Sequence, residues 1–363
     1  MSDPIVGVTP IVLEIPFDDG GRGEGITPTR WRDLDIVLVR VETASGLVGW
    51  GEGFGYECHH ATARAVRDLV APAVIGLDSF DPAAVNLAAQ RALALFGRYG
   101  VTMFAISGLD VALWDIAGKR AGLSLARLLG GRRRDDVPAY ASLVRYAEPA
   151  LVESVARRAR GLGHQEIKLH EAQAATIAAG RKGAGEAALT IDVNCQWSLE
   201  QAVAMLPVLR DNAVDWLEEP TFPPEDAAPW RALAGQGVAI AAGENACTAM
   251  EFAHLAPALD VVQPSVTKVG GVTEFLKVAQ IAKQRGKRLA PHSPYFGPGY
   301  WATLQLAAAD ETIASFEYLF VQGAADCGLA LPRPVNGRIA IPDAPGTGFA
   351  PDMDVIARYM TTG

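Results

Sequence analysis

The chain is predicted to be an α/β protein whose main body is a closed parallel barrel of the TIM type, preceded by a smaller α+β unit. Three observations predict it. From Arg134 onward, eight short apolar strands alternate with helical stretches, the pattern of a parallel barrel with its chemistry at the C-terminal rim. Three acidic strings, Asp192-Val193-Asn194, Glu218-Glu219-Pro220 and Gly243-Glu244-Asn245, each close an apolar or β-branched run. The carboxylates of Asp192, Glu218 and Glu244 recur at an interval of 26 residues. That interval is one strand, one helix and two loops, so three successive turns deliver an acid to the same rim. The first third of the chain instead reads as strands followed by a 3.6-residue apolar period.

The elements follow in order. Residues 5 to 15 and 35 to 50 read as strands, with Ala44-Ser45-Gly46 marking a hairpin turn. Between them, Asp18 to Arg32 is rich in glycine and charge and long enough to be a lid. From His59 to about Leu129 the pattern is helical. The barrel strands are expected at Val137 to Leu143, Glu166 to His170, Leu189 to Cys195, Trp216 to Pro220, Ala239 to Asn245, Leu259 to Val266, Arg288 to Ser293 and Ser315 to Leu319. Between Glu171 and Ala188 a short or frayed helix is expected, because Gly180, Gly183 and Gly185 interrupt it. The boundaries are an α+β unit over 1–130, completed by about 331–363 packing back on it, and a barrel over 131–330.

Composition excludes several function classes. A chain of 363 residues, half of them hydrophobic, can bury a large core, and a net charge of −9 argues against nucleic-acid or anionic-membrane partners. The basic run Arg132-Arg133-Arg134 is expected to be a solvated linker. Cys58, Cys195, Cys247 and Cys327 form no C-x-x-C pair and fit a reducing compartment. The start lacks a basic, then apolar, leader pattern, and no stretch reaches 18 uninterrupted apolar residues, so a cytoplasmic protein is expected.

Three converging carboxylates repel one another strongly in a low-dielectric mouth unless a cation holds them. His and Cys are absent from the three strings, so oxygen ligation favours Mg²⁺ over zinc.

These strings, together with Ala105-Ile106-Ser107-Gly108-Leu109-Asp110-Val111-Ala112-Leu113-Trp114-Asp115-Ile116, Gly118-Lys119, the Gly49-Trp50-Gly51-Glu52 turn and the Lys268-Val269-Gly270-Gly271 turn, resemble the mandelate racemase and muconate lactonizing branch of the enolase superfamily. The resemblance covers nearly the whole chain. It implies a capping domain over a modified (β/α)7β barrel, with Asp192, Glu218 and Glu244 as Mg²⁺ ligands, and Glu244 as third ligand is similar to the mandelate racemase side. It also implies a small-molecule carboxylate as substrate and an even-numbered homo-oligomer. Sites of this superfamily pair a Lys or His base with Mg²⁺ around an enediolate.

The proton-moving groups follow. Lys168 and His170 end the second barrel strand at positions i and i+2 and share a face. Family members commonly carry K-x-K there, so His170 is a departure, and Lys168 is expected to have a lowered pKa beside the cations. His292 resembles the histidine of the family's His-Asp dyad, but the aspartate position after Val262-Gln263-Pro264 holds Ser265. Without that carboxylate, His292 is expected to be a weaker base. Lys268, three residues beyond Ser265, is expected to be structural or solvated, reaching the mouth only if the chain has already turned. Asn194 could donate to a substrate hydroxyl, and Glu317 resembles a family glutamate that donates to a substrate oxygen when protonated. Glu219 is expected to be structural, and Trp197, Tyr295, Phe296 and Trp301 to be packing residues. The polar lid with Arg22, Arg30 and Arg32 and the turn Tyr56-Glu57-Cys58-His59-His60 favour a polyhydroxylated substrate over an aromatic one.

The reading is a Mg²⁺-dependent lyase that dehydrates an acid sugar or other hydroxy acid. A racemase, epimerase or cycloisomerase is the alternative if His292, or less so Lys268, exchanges the α-proton. A metal-dependent binding protein without turnover is the third class.

Overall fold

A computed structural model describes residues 2–21, 31–321 and 331–361. Strands β1 (Ile5–Pro16), β2 (Asp33–Thr43) and β3 (Val48–Gly53) form an antiparallel meander whose β2–β3 hairpin turns at Ala44 to Gly46. Helices α1 (His59–Ala65), α2 (Ala71–Val74), α3 (Pro82–Ala92), α4 (Val101–Ala121) and α5 (Leu125–Leu128) follow. The Gly49-Trp50-Gly51-Glu52 string is strand rather than turn. Its glycines alternate along β3, as residues of one strand face do, and they lie against α4. A Cβ at Gly51 would sit 1.9 Å from the Gly108 carbonyl oxygen, and one at Gly49 2.1 Å from that of Ala112. The backbone of α4 therefore rests directly on the strand, while Glu52 points the other way, towards the barrel. Helix α4 is long and apolar enough to cross a membrane, yet most of it is buried between β3 and the barrel helices.

The barrel strands are β4 (Asp136–Leu143), β5 (Glu166–Leu169), β6 (Ala188–Asp192), β7 (Val214–Glu218), β8 (Ala239–Ala242), β9 (Val261–Val262), β10 (Arg288–Leu289) and β11 (Phe316–Leu319). They pair in parallel in the order β10-β9-β8-β7-β6-β5-β4-β11, and the bridge Leu289–Ile313 joins the two ends. The helices between them are α6 (Pro149–Gly161), α7 (Ala174–Ala184), α8 (Leu199–Asp211), α9 (Ala227–Leu233), α10 (Ala249–Leu255), α11 (Gly271–Gln284) and α12 (Pro298–Ala309). Among the described residues, each of the first seven strands is followed by a helix and none stands between β11 and β12, which is the (β/α)7β arrangement.

Two expectations are corrected and a third is met in part. Helix α7 is continuous through Gly180 and Gly183, because both glycines are buried: a Cβ at Gly180 would fall 2.1 Å from the Leu169 side chain, and one at Gly183 2.4 Å from the Glu153 carbonyl oxygen. There the missing side chain permits close packing, which outweighs glycine's weak helix propensity. The Arg132 side chain is one-tenth exposed rather than solvated, and it donates to the Ile341 carbonyl at 2.7 Å. The segment after 331 divides its contacts: β12 (Arg338–Ala340) pairs with barrel strand β4, whereas Asp343 to Phe349 pack on the first unit as expected, through Arg127, Ser124, Leu125, Asp115 and Trp50, and α13 (Met353–Tyr359) and β13 (Met360–Thr361) return to β1.

The helical string from Ala105 to Ile116 joins the two parts of the chain. Ser107 Oγ accepts the Gly270 N–H at 2.8 Å, Asp110 accepts that of Thr273 at 2.9 Å, and Trp114 Nε1 donates to the Thr273 hydroxyl at 2.9 Å. These bonds anchor the turn that carries Lys268. Burial raises the Asp110 carboxyl to about 7 although Thr273 and Asn86 oppose it.

Gly51→Val should lower stability by about 2–3 kcal/mol, since the added carbons meet backbone that cannot move aside without lifting α4. Urea unfolding measures it. An unchanged midpoint would mean that α4 does not rest on β3 as described.

Candidate functional site

Parallel pairing in register places Asp192 beside Glu218 at the ends of β6 and β7, and Glu244 follows two residues after β8. Candidate ligand oxygens of the three lie within 4.8 Å of one another. The expected ligands therefore converge. Glu218 is fully buried; its Oε1 accepts from Lys168 at 2.9 Å and its Oε2 from Trp216 Nε1 at 3.1 Å. Burial and the neighbouring acids Asp192, Glu317 and Glu244 push the Glu218 carboxyl well above the usual range, against the pull of Lys168. Buried carboxylates this close, with no His or Cys among them, fit a hard oxygen-ligated ion such as Mg²⁺.

Lys168 is enclosed by acids, with Nζ 3.3 Å from Asp192, 2.9 Å from Glu218 and 2.8 Å from Glu317. Burial alone would lower its pKa, but these carboxylates outweigh burial and hold it well above the ordinary lysine value. The expected lowering depends on positive charge at these acids, which Mg²⁺ would supply.

His170 places Nδ1 2.5 Å from the Leu143 carbonyl and Nε2 3.3 Å from Asp192 Oδ2. A carbonyl only accepts, so Nδ1 carries the proton and Nε2 keeps the lone pair in the neutral ring.

His292 is arranged in the opposite sense. Its Nε2 lies 2.9 Å from Glu244 Oε2 and its Nδ1 3.0 Å from the Tyr295 hydroxyl, which also pairs with Ser265 Oγ. The best directed arrangement runs from Ser265 O–H to Tyr295, from Tyr295 O–H to Nδ1, and from Nε2–H to the carboxylate, since the phenol is the better donor and the carboxylate only accepts. Tyr295, expected to be a packing residue, thus occupies the place on His292 that an aspartate would fill. Burial raises its phenol pKa, so it stays a neutral donor.

A cavity of about 310 Å³ opens between barrel and cap. Asn194, Glu244, Asn245, Lys268, His292 and Tyr295 line its barrel side, and Trp31, Leu34, Ile36, Phe54, Tyr56 and Phe104 its cap side. Among the described residues the cap wall is largely apolar, with Asp35 and Glu52 as its carboxylates. Arg22 and Arg30, and the centre of the proposed Asp18 to Arg32 lid, lie outside the described residues.

Lys268 is buried and reaches this cavity, contrary to expectation. The chain turns immediately after β9: Ser265 accepts from the Lys268 and Val269 N–H groups, and opposite-face strand geometry no longer applies. Lys268 Nζ lies 4.5 Å above the Phe54 ring centroid and 3.3 Å from Asn245 Oδ1. Asn194 lines the cavity with φ +43°, its N–H bonded to Asp192 and its buried Oδ1 without a hydrogen-bond partner. Glu317 is not among the cavity-lining residues; its Oε1 forms an ion pair with Lys168 Nζ at 2.8 Å and its Oε2 accepts the Ser293 N–H at 2.9 Å. Burial would raise its carboxyl, but Lys168 and His292 hold it low, so it is an ion-pair partner rather than the protonated donor expected. Glu219 accepts the Gly243 N–H at 3.0 Å and shapes the loop ahead of Glu244, while Trp197 and Trp301 are buried packing residues.

Residues 26–130 match the mandelate racemase / muconate lactonizing enzyme N-terminal domain, and residues 150–355 match the enolase C-terminal domain-like family. D-galactarolactone cycloisomerase of Agrobacterium fabrum is 32% identical over 353 residues, covering 89% of this chain and 90% of that protein. Arabinonate dehydratase of Saccharolobus solfataricus is 29% identical, covering 90% and 91%. Among solved structures, a racemase from Streptomyces coelicolor with bound magnesium superposes with a TM-score of 0.87 at 26% identity, covering 98% of this chain and 100% of that one.

Asp192→Asn, Glu218→Gln and Glu244→Gln should each weaken Mg²⁺ binding by about tenfold or more in calorimetric titration. Lys168→Met should bind Mg²⁺ at least as tightly as wild type, because it removes a competing positive charge. Loss of Mg²⁺ binding in Lys168→Met, or its retention in all three acid variants, contradicts the ligand set.

Proposed function

The chain belongs to the mandelate racemase and muconate lactonizing enzyme family of the enolase superfamily, and from that premise we propose that it removes the proton α to a carboxylate and expels the β-oxygen. The reaction is most simply the dehydration of an acid sugar or other hydroxy acid to a 2-keto product. The observation that carries this reading is the opposed arrangement of the two histidines. His170 carries its ring proton on Nδ1 and turns Nε2 towards Asp192 Oδ2 at 3.3 Å, while His292 holds a proton on Nε2.

Asp192, Glu218 and Glu244 would hold Mg²⁺, which supplies positive charge where the second negative charge of the deprotonated substrate develops. His170 Nε2 accepts the α-proton, assisted by Lys168, whose charge orders the carboxylates around it. His292 Nε2 donates its proton to the β-oxygen as the C–O bond breaks, and Tyr295 holds the ring in position for that donation. The enol then takes a proton at the β-carbon to give the 2-keto acid. Asn194, Asn245 and Lys268 provide polar groups for the remaining hydroxyls or a second acid group. Relatives named for a galactarolactone and an arabinonate support an acid sugar.

The likeness to a cycloisomerase favours a second reading with the same proton inventory. If the expelled oxygen belongs to a ring of the substrate, it stays attached as a hydroxyl and the product is an isomer. Lyase and isomerase then differ in the substrate rather than in the residues. A racemase needs an acceptor on one face and a proton donor on the other, so the same pair of histidines would also serve it, and the products distinguish the two readings.

Solvent deuterium separates the schemes. Lys168→Met or His170→Asn should abolish exchange of the α-proton with D₂O, whereas His292→Asn should retain exchange and lose product formation by about 10²-fold or more. Abolished exchange in His292→Asn would make His292 the abstracting base. Epimerisation at C2 by the wild-type enzyme without 2-keto product would replace elimination by the two-base isomerase.

A further inference from the structure

A second cluster of ligand-type side chains lies on the cap, away from the barrel carboxylates. Glu14 near the end of β1 faces His59 and His60 at the start of α1. Glu14 Oε1 lies 3.1 Å from His59 Nε2 and 3.2 Å from His60 Nε2, and candidate ligand atoms of the three are all within 4.8 Å of one another. Behind His59, Nδ1 is 3.5 Å from Asp35 Oδ1, while the other Asp35 oxygen accepts the Glu57 N–H at 2.9 Å.

With a neutral His59 ring this cluster is in conflict, and only an imidazolium donating from both nitrogens, or a cation in place of the Nε2 proton, satisfies Glu14 and Asp35 together. With its proton on Nε2, the neutral His59 ring turns the Nδ1 lone pair towards the Asp35 carboxylate. With the proton on Nδ1, the Nε2 lone pair faces Glu14 instead. A cation held between the two Nε2 atoms and Glu14 removes the conflict, because Nε2 then donates to the metal and Nδ1–H to Asp35. That is the common carboxylate–histidine–metal arrangement. Spacing agrees: metal–nitrogen bonds of about 2.0–2.1 Å in a tetrahedron put neighbouring ligands about 3.3 Å apart. Two imidazoles and one carboxylate suit a zinc-class ion, whereas the oxygen-only barrel cluster suits Mg²⁺.

We propose that Glu14, His59 and His60 form a second metal site for a zinc-class divalent ion, with water completing the coordination and Asp35 orienting His59. The ion would tie the end of β1 to the start of α1 at the edge of the active-site cavity, which Asp35 itself lines.

The test uses the full chain with millimolar Mg²⁺ present, titrated with Co²⁺ and then Zn²⁺. The expected result is one Co²⁺ per chain with the intense visible absorption of a four-coordinate site, bleached by Zn²⁺. His60→Ala, at an exposed side chain, and Glu14→Gln should each weaken Co²⁺ binding at least about tenfold, and Asp35→Asn by about tenfold. Glu218→Gln, at the barrel acids, should leave the absorption in place. No intense absorption, an absorption that survives both His60→Ala and Glu14→Gln, or one lost in Glu218→Gln overturns the proposal. If Glu14→Gln does not fold, His60→Ala decides alone.

Discussion

Four carboxylates, Asp192, Glu218, Glu244 and Glu317, share the buried mouth of the barrel, and their mutual repulsion is the constraint to which the rest of the structure answers. Two like charges 4 Å apart cost about 4 kcal/mol at an effective dielectric constant of 20, so the cluster needs positive charge to stay ionised. The chain supplies it from two sides, from Lys168 on β5 and from Lys268 in the turn after β9, while His170 and His292 each set a ring nitrogen against one of the acids. The cap contributes indirectly. Because glycines on β3 let α4 lie close, Ser107, Asp110 and Trp114 can reach the turn that presents Lys268.

The tautomer of each histidine then comes from what lies behind it. A backbone carbonyl behind His170 and a hydroxyl pair behind His292 put the imidazole protons on different nitrogens. In the proposed reaction the same residue type would serve as acceptor on one side and donor on the other, and the Ser265–Tyr295 pair, standing where the family pattern has an aspartate, would hold His292 as the donor.

Much of this was legible in the sequence. The metal carboxylates were visible because barrel strands repeat at nearly constant length, so equal spacing reports a shared rim. The eight strands could be placed because each is a short apolar run. What escaped was local geometry without a sequence period. Tyr295 sits three residues after His292 in a loop, where no strand or helix rule says which way it points. Lys268 was judged by strand alternation, although the backbone turns at Ser265. Helix α7 was judged by glycine propensity, although its glycines are there for packing. The apolar cap wall combines residues from distant segments, from Trp31 to Phe104, that only the tertiary fold brings together.

The opposed histidine states are the centre of the account, and nitrogen-15 NMR of imidazole-labelled, Mg²⁺-loaded protein reads them directly. The account predicts His170 protonated on Nδ1 and His292 protonated on Nε2, with His292 losing that single tautomer in Tyr295→Phe. His292 protonated on Nδ1 alone, with a free Nε2 lone pair, would contradict it.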